Sequence, residues 1–111
     1  MISLEKLKNY GANVDEGLTR CMNNADFYIM LVNKAMADNK LEQLEQQIGD
    51  KNLDSAFETA HALKGMYANL SLDPLTVPVS EITELLRSRS DVDYSALINE
   101  AKTQFAKLKE L

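Results

Sequence analysis

His61 is the one histidine in a chain of 111 residues. Lys64 follows three positions on and Gly65 four, a spacing that puts all three on one side of a helix. Helical side chains lean toward the N-terminus, so a large residue at 65 would lie against the imidazole. Glycine leaves that space empty. Its cost in a helix interior is roughly 1 kcal/mol relative to alanine, which points to a compensating use. Ala68, one turn further, is small as well. An unhindered imidazole nucleophile with an ammonium in reach is what an incoming phosphoryl group requires. The competing reading is structural: His61 borders the core and Gly65 permits close helix packing. Spacing alone does not separate the two.

The element that must hold these residues is a helix running from Asp54 toward Pro74. Asp54 is a good N-cap, and no proline interrupts the run before Pro74. At 100° per residue Leu53, Ala56, Ala60, Leu63, Tyr67 and Leu70 form one stripe, the expected core face. His61 falls off that stripe, on a shoulder with Asp54, Glu58, Gly65 and Ala68. A partly exposed side chain belongs there.

The run Ala60-His61-Ala62-Leu63-Lys64-Gly65, with Ala68-Asn69-Leu70 and then Leu72 and Leu75, resembles the signature of histidine-containing phosphotransfer (HPt) domains. Gly11-Ala12-Asn13-Val14-Asp15-Glu16-Gly17-Leu18, followed by Phe27-Tyr28 and Leu31, is similar to the opening of single-domain bacterial members. The resemblance implies that His61 is phosphorylated and that Lys64 and Gly65 serve it. It also implies exchange with receiver domains of response regulators or hybrid histidine kinases. The partner would bring a divalent cation and its own acidic site. Two departures stand out. Ser71 occupies a position where the family usually has glycine, and Met66-Tyr67 replace a typically small pair. Neither lies on the His61 shoulder, so altered packing is expected rather than altered chemistry. Members often offer a Gln or Glu from the next helix to the imidazole; an ungapped count puts Thr83 there, with Glu84 next.

Length allows one domain, residues 1–111, with a single core. The chain is 45% hydrophobic but only 6% aromatic, with no tryptophan, a composition suited to a helical core of Leu, Ile, Met and Ala. Net charge is −5, without the basic footprint that nucleic acid demands. Cys21 has no second cysteine to pair with, which fits a reducing compartment and a structural thiol. No apolar run approaches a membrane span and no signal-peptide core opens the chain, so a cytoplasmic location is expected.

In chain order, Ile2 to Tyr10 reads as a short helix closed by Gly11, and a second starts at Asn13 or Asp15 and ends at Asn23-Asn24. Both are too short to stand alone and are expected to cover the main bundle. Ala25 to about Lys51 reads as one long helix, with a break allowed near Asp38-Asn39. Phe27 to Val32 is apolar nearly all round, implying burial on two sides. After the His61 helix, Asp73-Pro74 marks a start that Pro78 postpones to Val77-Pro78 for the regular part. Asp91 or Asp93 caps the last helix, where Tyr94, Leu97, Ile98, Ala101, Phe105 and Leu108 recur at helical steps. Short connections between four long helices predict an all-α, up-down-up-down antiparallel four-helix bundle with two short N-terminal helices as its cover.

One His and one Cys far apart offer no zinc-type spacing, so no metal or other cofactor is expected. Carboxylates are scattered, and no glycine-rich phosphate loop is present. The chain is therefore read as a phosphotransfer intermediate, not an enzyme with its own ATP site. Phe57 and Ala68, beside His61 on the shoulder, are the expected apolar docking patch, with Glu58 a solvated rim residue. A monomer is the default for such a bundle. Two other readings compete: a helical adaptor that binds a receiver or kinase without being phosphorylated, and a His61-dependent hydrolase, for which no second nucleophile or metal site is evident.

Overall fold

The computed structural model describes every residue except 1 and 39, and all regular structure among them is helical. The elements are α1 (Leu4–Tyr10), α2 (Val14–Arg20), α3 (Ala25–Ala37), α4 (Lys40–Gly49), α5 (Leu53–Asn69), α6 (Asp73–Arg87) and α7 (Ser95–Lys109). No helix among the described residues is long and apolar enough to cross a membrane.

Side-chain caps fix most of the starts. The side chains of Ser3, Asn13, Asn24 and Asn52 each accept a hydrogen bond from the backbone N–H three residues on. Asn52, not Asp54, therefore caps the His61 helix; Asp54 lies in its first turn, where a carboxylate faces the positive end of the helix dipole. α6 begins at Asp73, with Leu72 as its cap, and carries Pro78 inside. The expected postponement does not occur. The N–H groups of Leu75 and Thr76 already bond to the Leu72 carbonyl, at 2.9 and 3.0 Å. The first turn is thus closed before Pro78 arrives, and its missing donor removes one bond only. α7 starts at Ser95, whose N–H donates to the Asp93 carboxylate at 2.9 Å. Hydrogen bonding from Ser95, its side chain first and this N–H second, holds the Asp93 carboxyl below its usual range.

The stretch read as one long helix is two. Asp38 is extended (φ −91°, ψ 121°), and α4 starts afresh at Lys40; Asn39, the other half of the expected break, lies outside the described residues. Nor is the start of α3 buried on two sides. Tyr28, Val32 and Ala35 face the core, while Phe27 is 39% and Met30 53% exposed. α2 lies against one face of α3, and Phe27 and Met30 leave another to solvent.

α5 packs against both α4 and α6, α6 packs on α7, and α7 reaches back to α4 and α3. α1 touches α2 and α7, and α2 touches α3. The core runs through Leu44, Leu63, Leu75, Ile82, Leu86 and Leu108, all fully buried.

Two side chains, one on α2 and one on α3, fasten these helices to the far end of α5. The Tyr28 hydroxyl, buried, donates to the Leu70 carbonyl at 2.7 Å. Arg20 donates to the Ala68 carbonyl and to the Ser71 hydroxyl, the latter at 3.0 Å, and pairs with Glu16. Ser71 sits at φ +54°, a left-handed conformation that favours glycine. Packing is where this departure from the usual pattern tells, and the Arg20 bond offsets part of its cost. Gly17 makes room for Tyr28, because a Cβ there would fall 2.7 Å from the ring. Gly17→Ala is expected to cost about 1–3 kcal/mol through overpacking, read as a lowered melting temperature. An unchanged melt would mean that α2 gives way freely.

Burial also sets the alkaline limit. It pushes the Tyr28 hydroxyl up to about 12 and raises Tyr10 and Tyr67 as well. A raised folded-state pKa favours the protonated fold, so this contribution is whole below the ordinary tyrosine pKa of about 10. It is lost as pH climbs from there through the folded values. Denaturant midpoints are expected to be flat between pH 8 and 9.5, on the order given by that pKa, and to fall above it. A midpoint that held steady to pH 12 would contradict the assignment.

Candidate functional site

α5 buries Ala56, Ala60, Leu63 and Tyr67, four members of the predicted stripe, with Leu70 buried just beyond and Leu53 half-buried. That rotation turns His61, Glu58 and Gly65 to solvent and leaves Phe57, Lys64 and Ala68 half-buried at the edges. Nothing lies within 4 Å of where a Cβ on Gly65 would be. Close helix packing therefore does not account for this glycine, and the surface beside the imidazole is open.

The predicted residues are not all equally near His61. Phe57, one turn back, stacks on its ring, with centroids 5.7 Å apart and planes 21° from parallel. Phe57 is half-buried, packed against the edge of the core on one side and on the imidazole on the other. Lys64 reaches across to α6, where its Nζ lies 3.6 Å from the Glu84 carboxylate. Exposed pairs of this kind are worth little, so a phosphate can take the ammonium over at small cost. Ala68 lies two turns from His61, at the end fastened by Arg20. Glu58 is exposed on the N-terminal side.

Two residues that sequence reasoning passed over belong to this surface. The guanidinium groups of Arg87 and Arg89 lie 5.1 and 5.0 Å from the centroid of the Phe57 ring, within cation–π range. Arg87 also donates to Glu84 at 3.2 Å, and Arg89 to Asp54 at 2.6 Å. The hydrogen bond and charge of Arg87, with a smaller contribution from Lys64, hold the Glu84 carboxyl below its usual range. The only signal in the sequence was the pair of arginines closing α6.

Thr83 does not serve the imidazole. It is fully buried, and its hydroxyl donates to the Val79 carbonyl of its own helix at 2.7 Å. Among the described residues the candidate site is thus an exposed ring, open on the Gly65 side and stacked on Phe57 on the other, with Lys64 on the same helix and Arg87 and Arg89 against the Phe57 ring. These cations are paired with Glu84 and Asp54 by exposed contacts that a phosphoryl group can compete with. A family model, the Hpt domain, matches residues 31–111. No curated protein and no solved structure matches the chain.

Proposed function

The chain belongs to the Hpt domain family, modules of two-component phosphorelays, and on that premise we propose that His61 is the residue that carries the phosphoryl group. The neutral imidazole attacks the phosphorus of an aspartyl phosphate on a receiver domain in line. An N–P bond forms as the acyl O–P bond breaks, and the electron pair leaves with the receiver's carboxylate. The reverse step passes the group to another receiver. Positioning and charge neutralisation carry such transfers. Lys64 meets the phosphate oxygens, Gly65 keeps the approach clear, and Phe57, Glu58 and Ala68 lie in the docking face. Receivers of response regulators or hybrid histidine kinases are the partners, and the chain acts as a monomer without an ATP site of its own. Residues 1–111 form one domain in this reading: α4 to α7 make a four-helix bundle, α3 extends it, and α1 and α2 cover one end.

The observation that carries the proposal is the open space at Gly65 beside an exposed imidazole. A glycine that costs helix stability and relieves no contact within the chain points to a contact outside it. Incubation with a phosphorylated receiver from the same cell tests it: acid-labile, base-stable label is expected on the chain. Binding without label, for several competent receivers, would turn the reading to an unphosphorylated adaptor.

A further inference from the structure

We infer that Phe57, held in place by Arg87 and Arg89, positions the His61 imidazole for transfer. This inference rests on His61 being the acceptor. Among the described residues no side chain hydrogen-bonds that ring. Thr83 is turned into its own helix, and the Glu84 carboxylate is shared between Lys64 and Arg87. An exposed imidazole without a partner samples several rotamers, and the freezing of those rotamers then falls on the transition state.

The stack answers that need. Helical side chains lean toward the N-terminus, so His61 leans toward Phe57, four residues earlier, and away from the bare surface at Gly65. Offset stacking restricts the ring's tilt while leaving both nitrogens free for a proton and for phosphorus. Phe57 would be a poor support if it were itself mobile. Arg87 and Arg89, both about 5 Å from its centroid, are the groups that restrict it. Each is anchored in turn, Arg87 on Glu84, and Arg89 on Asp54 and on the Leu86 carbonyl at 2.6 Å. Asp54 belongs to α5 itself, so the chain of contacts closes between α5 and the end of α6.

The test separates positioning from docking. Single-turnover transfer is measured at saturating phosphorylated receiver, with receiver affinity measured apart, for the wild type, Phe57→Leu, Phe57→Tyr and the double variant Arg87→Gln, Arg89→Gln. Phe57→Leu is expected to lose roughly three- to tenfold in the saturated rate, the worth of one aromatic pair. Phe57→Tyr should keep the rate, and the double variant should move in the direction of Phe57→Leu. Because the chain has one histidine, its ring resonances are read without overlap. They should carry a ring-current displacement in the wild type and Phe57→Tyr that Phe57→Leu loses. A saturated rate unchanged in Phe57→Leu, with only affinity weakened, would overturn the inference and leave the acceptor reading standing. A wild type that takes no label defeats both.

Discussion

His61→Gln is expected to abolish transfer from a phosphorylated receiver, leaving label at background. The chain has no second histidine, and a glutamine amide is not a nucleophile toward phosphorus. The substitution should leave the fold intact, since the side chain is exposed and stacked on Phe57 alone. Surface changes of that kind usually stay within about 0.5 kcal/mol. Receiver binding is therefore expected to survive, and the melting temperature to move little. The chemistry of the label adds a second check. A phosphoramidate is cleaved by acid and survives base, whereas an acyl phosphate is lost in base and a phosphoserine survives acid. Undiminished labelling of His61→Gln would place the phosphate elsewhere and remove the basis of the proposed function.

Gly65→Gln is expected to separate stability from transfer, with opposite signs. Glutamine is a good helix former, and a Cβ at 65 meets no atom within 4 Å. The fold should gain roughly 0.5–1 kcal/mol, seen as a melting temperature raised by a few degrees. The new side chain leans toward the imidazole, into the approach path. Displacing a reacting pair by about 1 Å can cost on the order of a hundredfold, and a drop of that size is the expected result in saturated single-turnover transfer. Wild-type transfer in a stabilised variant would show that the empty space is not used. A lowered melting temperature would show that the glycine answers to packing after all.

How much of this was written in the sequence differs from residue to residue. The exposed shoulder of α5 follows from angles alone, because Ala56, Ala60, Leu63 and Tyr67 leave no other side for His61. Caps were harder. Asn52 and Asp54 are both good cap types two residues apart, and only backbone geometry chooses Asn52. Pro78 taken alone puts the start of α6 too late, because the turn that Leu72 closes lies ahead of it. The division of the long helix at Asp38 has no glycine or proline to announce it, and the exposed Phe27 and Met30 break the rule that apolar runs are buried. Arg87 and Arg89 were hidden for a different reason: they meet Phe57 only through the folded hairpin of α5 and α6. Yet α5 and α6 return on each other about Ser71, so equal steps outward pair residue 57 with residue 85. To within about a turn, that count leads to the two arginines. The Thr83 position shows the converse: counting along the sequence reaches residue 83 on α6 but says nothing of the way it faces, which is into its own helix.

The region matched by the family begins at residue 31, but the side chains that tie down the tail of the His61 helix, Arg20 and Tyr28, come before it. The portion of the molecule that is recognisable by descent is therefore shorter than the portion that must be present for its key helix to be finished off. A fragment trimmed to the shared portion would expose the carbonyls of Ala68 and Leu70, strip Ser71 of its partner, and bare the wall on which Tyr28 rests.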